Sequence, residues 1–204
     1  MLAVFVQALV LGFSIAAPVG AIGVLCIRRS LAEGRAVGLA CGLGAATADA
    51  LYGLIAGLGL VAVTSALVGS QLFLRTAGSA YLVYLGVRTF MAVPAERPAE
   101  IRPDSGRILR AWASTAFLTL TNPVTIMSFV AIFASLGRNA SLPGRAPILA
   151  VGVFLGSAAW WLILSTAVSR LRGRVRPIHL VWVNRASGAI LIGFAIGSAA
   201  GLLG

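Results

Sequence analysis

The chain of 204 residues is 59% hydrophobic and only 10% charged, and its mean hydropathy is +1.00. These values exclude an ordinary soluble globular domain and are typical of a membrane protein. All 16 basic residues are arginines, giving a net charge of +11. Because they are spread over several loops rather than gathered on one soluble face, we expect no nucleic-acid partner.

Apolar runs along the chain predict six transmembrane helices. Four charge-free runs are each long enough for one span of about 20 residues: residues 1–27, 111–137, 146–169 and 186–204. The stretch 36–74 is interrupted only by Asp49, and together with the adjoining residues 76–93 it must hold a second and a third helix. We therefore expect an all-α membrane protein.

The arginines predict the orientation. All but three lie in the loops that follow the first, third and fifth helices, and the exceptions are Arg75, Arg138 and Arg145. Because cytoplasmic loops carry an excess of basic residues, we expect those three loops in the cytoplasm. Both termini of this multi-pass protein of the cell inner membrane are then periplasmic, and the arginine-rich face meets the headgroups of the lipid bilayer.

A polar segment divides the chain into two halves of three helices. Residues 94–110 form a proline-rich cytoplasmic linker between a first repeat, residues 1–93, and a second, residues 111–204. At an offset of 110, Gly34–Ala36 recurs at Gly144–Ala146. Since each half has an odd number of spans, the second enters the membrane from the opposite side. The prediction is a pair of inverted-topology repeats, a common architecture of secondary transporters.

Prolines interrupt the first helix of each half. Pro18 lies ten residues before Arg28, about 15 Å into the membrane at helical rise, and Gly20 follows it. Asn122 and Pro123 lie at a similar depth, twelve residues or about 18 Å beyond Arg110. Tolerated kinks are one explanation. Their matching placement favours the other, a solute site near the midplane made from unwound backbone.

Asp49 is the only acid within a predicted span. An ionised carboxylate at the centre of a membrane helix costs about 2.5 to 3.5 kcal/mol, so Asp49 should face a polar cavity or a partner rather than lipid. One hypothesis is a carboxylate that binds a proton or a substrate ammonium. The other is an Asp that holds the bundle together by pairing with a hydroxyl, a backbone group or an arginine. Thr47 and Tyr52 are candidates to line a cavity beside it.

Other features predict packing rather than chemistry. Spacings such as Gly38-xxx-Gly42 and Gly53-xxx-Gly57 allow close helix contact, and they permit a homodimer. We find no nucleotide loop, nucleophile triad or cluster of metal ligands in the sequence, so we expect neither an enzyme nor a cofactor nor a resident metal.

Three segments resemble one family. The segments are "APVGAIGVLCIRRSLAEGRAVGLACGLGAATADALYGLIAGLGL", "GSAYLVYLGVRTF" and "FLTLTNPVTIMSFVAIFASLG". They are similar, in this order, to the LysE/RhtB-type translocators of the lysine-exporter superfamily. The resemblance implies an exporter of amino acids or related small metabolites, driven by the proton gradient or the membrane potential.

The same resemblance implies pathway roles for Pro18, Gly20, Asp49, Asn122 and Pro123. Gly20 and Ala21 stand where many amino-acid exporters have a second proline, so the resemblance does not imply which solute is carried.

Three alternatives stay open at this point. A divalent-metal exporter of the same superfamily would need more ligands than one loop histidine and one membrane carboxylate. A transmembrane thiol relay would need two cysteines brought together, whereas Cys26 and Cys41 both lie in the first half. A scaffold that transports nothing would not need Asp49.

Overall fold

The computed structural model describes residues 1–18, 20–58, 66, 68–92, 104–136, 145–171 and 177–200, and within them the elements are eight α-helices. In chain order these are α1 (Leu2–Ala16), α2 (Ala21–Ala32), α3 (Arg35–Gly57), α4 (Gln71–Phe90), α5 (Ser105–Leu120), α6 (Pro123–Leu136), α7 (Ala146–Leu171) and α8 (Pro177–Ala200). Most of the predicted linker lies outside the described residues, as do Arg138 and the basic segment 172–176.

Two of the predicted spans are broken where the sequence places proline. The axes of α1 and α2 meet at 79° around Pro18, and those of α5 and α6 meet at 59° around Asn122. Proline has no backbone N–H and its ring crowds the preceding turn, so a continuous helix cannot pass through it without distortion. Both predicted interruptions are therefore confirmed.

The expected six spans are not confirmed. Among the described residues, α3, α7 and residues 178–197 of α8 are long and apolar enough to cross a membrane, and the two bent pairs raise the number to five at most. The predicted third span corresponds to α4, which carries Arg75 and Arg88 and is not among these candidates.

The predicted linker is partly helical. Asp104 caps α5 by accepting a hydrogen bond from the N–H of Gly106 at 3.3 Å. Residues 105–110, which the sequence assigned to the linker, therefore belong to α5 because a side-chain cap starts the helix before the apolar run begins.

The helices pack as a bundle and a separate pair. In the bundle, α7 contacts α1 and α3, and α3 contacts α5; in the pair, α4 runs along α8. The short helix α2 touches α3, α7 and α8, so it connects the two groups. Exchanging α1 with α5, α3 with α7 and α4 with α8 leaves this set of main contacts unchanged.

Small residues bring the backbones together. In the bundle, Gly42 packs against Trp161, and Gly44 lies against the backbone of Trp112. In the pair, a Cβ on Gly86 would approach the carbonyl oxygen of Gly188 to 3.0 Å, and one on Gly188 would approach that of Gly86 to 2.7 Å. Close approach of this kind replaces the hydrophobic effect, which lipid cannot supply between helices.

Candidate functional site: a cavity at the two helix breaks

A cavity of about 1000 Å³ lies where the two broken helices meet α4 and α8. Gly20, at the first break, and Asn122, at the second, both line it. The structure thus brings together two residues that are far apart in sequence. Each lies within two residues of a proline that interrupts a predicted helix. The other lining residues include Ala21, Ile22, Arg75, Gly78, Ser79, Leu82, Leu118, Thr121, Val124, Met127, Ser128, Ile190, Gly193, Phe194 and Gly197.

The amino end of α2 points its first turn at this cavity. Gly20 is its N-cap and, as a glycine, has no side chain with which to cap the helix. The carbonyl of Gly20 accepts a bond from Val24 at 3.0 Å, which starts the helical ladder. The N–H groups of the first turn have no acceptor within the helix and carry the positive end of its dipole, equivalent to about half an elementary charge. Two residues of that turn, Ala21 and Ile22, line the cavity.

The second break is built differently because Asn122 closes it. The Asn122 side-chain oxygen accepts a hydrogen bond from the N–H of Val124 at 3.1 Å, which caps α6. Pro123 is the first residue of α6, where a missing N–H costs nothing because no helical acceptor would be present.

The carboxyl end of α5, on the other side of this break, has its carbonyl groups occupied. Thr121 donates to the carbonyl oxygens of Phe117 and Leu118, and the N–H of Asn122 donates to that of Thr119 at 3.3 Å. The hydroxyl of Tyr52 donates to the carbonyl oxygen of Leu120 at 2.7 Å. The four carbonyls that a helix end normally leaves open therefore all have donors within the chain.

One face of α4 supplies a charge and a hydroxyl that the sequence argument missed. Arg75, Gly78, Ser79 and Leu82 all line the cavity. Their spacing of three, four and seven residues is that of a single helix face and is visible in the sequence. Arg75 was expected in a loop, but α4 begins at Gln71 and includes it. Ser79 is 8% exposed, and its Oγ has no hydrogen-bond partner among the described residues.

The opposite wall, on α8, is apolar and roomy. Ile190, Gly193, Phe194 and Gly197 repeat the same helical spacing and line the cavity. Among the described residues, a Cβ added to Gly193 or Gly197 would meet nothing within 4 Å, and the same holds for Gly20. These three glycines therefore leave open volume rather than allowing a close helix contact.

Asp49 does not line this cavity. It lies between α3 and α7, is 3% exposed, and its Oδ2 accepts a hydrogen bond from the Ser157 hydroxyl at 2.8 Å. The Trp161 indole N–H in turn donates to Ser157 Oγ at 3.2 Å. Asp49 thus has a partner away from lipid, as expected. The sequence could not identify that partner, since it is 108 residues distant.

The other predicted residues occupy two kinds of position. Thr47 donates to the carbonyl of Leu43 at 2.7 Å and accepts from the Trp112 indole N–H at 3.2 Å, which ties α3 to α5. Neither Thr47 nor Pro18 is among the lining residues, and Tyr52 reaches the second break only through the carbonyl of Leu120. The predicted set therefore divides into residues at the cavity and residues in its supporting helices.

A second cavity, of about 670 Å³, lies toward the other end of α4. We call it the arginine vestibule, because its lining includes Arg28, Arg29, Arg88, Arg107 and Arg110 together with Glu33. Arg88 is thirteen residues from Arg75, a separation of about 20 Å along the helix.

Neighbouring residues of α4 and α5 line different cavities. Tyr81 and Phe117 line the vestibule and pack edge to face, with ring centroids 5.3 Å apart. The next residue of each helix, Leu82 and Leu118, lines the first cavity instead. Consecutive residues on α4 and on α5 thus contribute to the two cavities in turn.

The vestibule arginines also hold helices together. Arg28 donates from Nε to Asn184 Oδ1 at 3.1 Å and lies 3.5 Å from Glu33 Oε1. Arg29 donates to the carbonyl of Ala111 at 3.1 Å and to Ser114 Oγ at 2.9 Å. Hydrogen bonds involving a charged group are among the stronger ones, so these arginines fix the carboxyl end of α2 against α5 and α8.

The two cysteines meet beside the vestibule. The Sγ atoms of Cys26 and Cys41 are 3.0 Å apart, and both residues are buried free thiols. Arg29 lies 3.7 Å from Cys41 Sγ. The sequence showed that both cysteines lie in the first half, but only the packing of α2 on α3 places them in contact. Among the described residues, no group of three or more His, Cys, Asp or Glu could hold a metal ion.

Comparison of the sequence with known proteins places the chain in a family. The chain matches the family model "LysE type translocator" over residues 13–200. It is 28% identical over 197 residues to "Putative amino acid efflux protein YcgF" of Bacillus subtilis, covering 94% of this chain and 92% of that protein. It is 31% identical to "Chemotactic transduction protein ChpE" of Pseudomonas aeruginosa, covering 96% and 97% of the two chains.

A third relative is "Uncharacterized membrane protein YahN" of Escherichia coli, 30% identical over 83% of this chain and 77% of that one. No solved structure matches the chain. The resemblance noted from the three sequence segments is confirmed, and the chain belongs to the LysE type translocator family.

Proposed function

We propose that the protein is an inner-membrane secondary transporter that exports amino acids or related small metabolites. Membership of a translocator family supports transport, and a relative named for amino acid efflux supports the solute class. The observation that carries the proposal is the meeting of two broken helices at one cavity. Broken helices create polar backbone positions inside an apolar bundle, and transporters use such positions to bind solutes.

The two cavities suggest the route. The arginine vestibule lies at the end of α4 that the arginine count assigns to the cytoplasm, and Tyr81 and Phe117 of its lining are each followed in sequence by a residue that lines the cavity at the breaks. A solute enters the vestibule, passes these rings, binds at the breaks and leaves toward the periplasm.

We further propose that Asp49 couples transport to protons. It is a buried carboxylate with one hydroxyl partner, and binding a proton would remove a charge that is costly in a membrane interior. Tyr52, one turn away on α3, holds the carbonyl of Leu120 at the second break. A change in the protonation of Asp49 can therefore act through Tyr52 on the backbone at the second break.

Efflux from preloaded cells tests the proposal. Cells expressing the protein are loaded with a mixture of labelled amino acids, and loss of each is compared between wild type and Asp49→Asn. We expect wild type to speed the loss of at least one amino acid and Asp49→Asn to slow that loss at least tenfold. Efflux at the background rate for all of them would reject the export of amino acids. Equal efflux in the two strains would reject only the role of Asp49.

Orientation is tested separately. If the vestibule faces the cytoplasm, a reporter fused after Gly204 is active in the periplasm. A reporter active only in the cytoplasm would invert the proposed route.

A transmembrane thiol relay is the second candidate because Cys26 and Cys41 are in contact. The chain has only these two cysteines, however, and both occupy one end of the molecule, so thiols alone could not pass electrons across the membrane. Replacing both cysteines by alanine should leave amino-acid efflux unchanged. Loss of function in a double variant that still reaches the membrane would favour the relay.

A further inference from the structure

We infer that Cys26 and Cys41 are a site of reversible oxidation, whose disulfide fixes α2 to α3 and thereby stops transport. The pairing of the two sulfurs depends only on the packing of this chain, whereas the effect on transport rests on the proposed function. The site differs from a thiol relay, because no electrons pass across the membrane.

The two sulfur atoms are already in contact. Cys26 Sγ lies 3.0 Å from Cys41 Sγ, and the helices that carry them, α2 and α3, pack against each other. Both residues are free thiols. Two cysteines whose sulfurs already meet need little backbone movement to be bridged. The chain has no other cysteine, so a disulfide within one molecule can only be this one.

Cys41 has the surroundings of a reactive thiol. Its Sγ accepts a hydrogen bond from the Cys26 thiol, and the Arg29 Nη1 lies 3.7 Å away. The Thr115 hydroxyl oxygen is 2.9 Å from the same sulfur. Reactive cysteines are typically found beside a cation, in contrast to the inert ones of apolar cores. We therefore expect Cys41 to react first with an oxidant and Cys26 to react second.

The arginine vestibule gives an oxidant its approach to the two cysteines. Both are almost fully buried, but Arg29 lines the vestibule and also contacts Cys41. Leu25, which precedes Cys26, lines the vestibule too. Because the Arg29 side chain borders both the vestibule and the sulfur, we expect a small oxidant such as hydrogen peroxide to enter where this side chain moves.

One molecule of hydrogen peroxide is enough to form the disulfide. Cys41 Sγ attacks a peroxide oxygen and breaks the O–O bond, which gives a sulfenic acid and water. Cys26 Sγ then attacks Cys41 Sγ, forming the S–S bond and releasing the sulfenic oxygen as a second water. The protons of both thiols leave in the two waters. A dithiol reverses the reaction by thiol–disulfide exchange.

The disulfide would fix the helix that contacts both parts of the molecule. α2 packs against α3 and α7 of the bundle and against α8 of the pair. Its amino end, with Gly20, Ala21 and Ile22, lines the cavity at the breaks. If α8 moves relative to the bundle during transport, α2 must turn or lose one of these contacts. Joined covalently to α3, it cannot turn, so the cavity keeps its present shape.

Oxidation of the purified full-length protein tests the pairing without any transport assay. The reduced protein is treated with hydrogen peroxide, and its intact mass and free thiols are measured. We expect a mass lower by two hydrogen atoms, loss of both thiols, a monomer on non-reducing electrophoresis, and full reversal by dithiothreitol. A folded protein that keeps both thiols, or that forms only disulfide-linked dimers, would overturn the inference.

Single variants test the order of reaction. Cys26→Ala removes the second sulfur, so peroxide should leave Cys41 as a sulfenic acid that dimedone labels. Cys41→Ala is the matched control and should give little label, because Cys26 has no such contact with Arg29 among the described residues. Equal labelling of the two variants would overturn the role assigned to Arg29.

Efflux from proteoliposomes tests the effect on transport. Peroxide should reduce the efflux of any amino acid that the reduced protein carries to the background rate, and dithiothreitol should restore it. The double variant Cys26→Ala and Cys41→Ala should export at the same rate with and without peroxide. Unchanged efflux by the disulfide-bonded protein, or equal inhibition of the double variant, would overturn this effect. If the reduced protein carries no amino acid, the proposed function itself fails, while the mass measurement still decides the pairing.

Discussion

The hydroxyl of Tyr52 donates a hydrogen bond to the carbonyl oxygen of Leu120 at 2.7 Å, joining α3 to the broken end of α5. Tyr52 is 4% exposed, and its ring also packs against Phe129 of α6 with centroids 5.3 Å apart. One side chain thus holds the helices on both sides of the break. The interruption is a fixed element of the structure, because its freed backbone groups have partners.

Tyr52→Phe should weaken this break while keeping the ring in place. The change leaves a buried carbonyl without its donor, which costs about 1 to 3 kcal/mol. We expect a lower midpoint of thermal unfolding in detergent and a slower efflux rate. Tyr84→Phe is the control because Tyr84 is 51% exposed on α4, and a surface change of this kind should stay within about 0.5 kcal/mol. Equal midpoints for the two variants would show that the hydrogen bond does not hold the break.

Asp49 and Ser157 should give different results when changed singly. Asp49→Asn keeps an acceptor for the Ser157 hydroxyl, so its unfolding midpoint should remain close to wild type while efflux falls. Ser157→Ala removes the donor at 2.8 Å and leaves both Asp49 and the Trp161 indole without this partner. It should lower stability by about 2 kcal/mol or more. Full efflux by a stable Asp49→Asn variant would assign Asp49 a structural role only.

Asn122 should be replaceable only by residues that cap a helix. Asn122→Ala removes the acceptor for the Val124 N–H, and loss of such a cap costs about 1 kcal/mol. Asn122→Ser retains a capping oxygen and should recover most of that loss. Measured unfolding midpoints in the order wild type, Ser, Ala would agree with a cap, whereas identical Ser and Ala variants would not.

Arg29 should matter for stability more than its position in a basic loop suggests. Arg29→Gln loses charge-assisted bonds to the Ala111 carbonyl and Ser114, whereas Arg35→Gln changes an exposed arginine. We expect only the first variant to lower the midpoint of unfolding, by an amount corresponding to about 1 to 3 kcal/mol. A drop of the same size in both would indicate a general effect of charge.

The features best predicted from the sequence are those that depend on the backbone chemistry of a single residue. Proline cannot donate, so Pro18 and Pro123 predicted both breaks, and the matching depth predicted that they belong together. Family membership followed from motifs spread over the same segments. The predicted number of spans is not confirmed, because among the described residues α4, which carries two arginines, does not meet a simple criterion of length and apolarity.

What the sequence could not supply was contact between distant helices. Asp49 and Ser157 are neighbours only because α3 packs on α7, and no local pattern encodes that packing. Ser79 was missed for a different reason. A serine in an apolar helix usually bonds its own backbone, and only the described contacts reveal that its hydroxyl has no such partner among those residues.

The close crossing of Gly86 and Gly188 has a mechanical consequence. The crossing holds the pair of α4 and α8 together as one rigid unit. This pair lies beside the bundle of α1, α3, α5 and α7, and α2 touches both. The cavity at the breaks lies between this pair and the two broken helices. If the protein transports as we propose, a small tilt of this pair about α2 would widen the cavity at one end and narrow it at the other, so a single rigid motion would open it to each side of the membrane in turn.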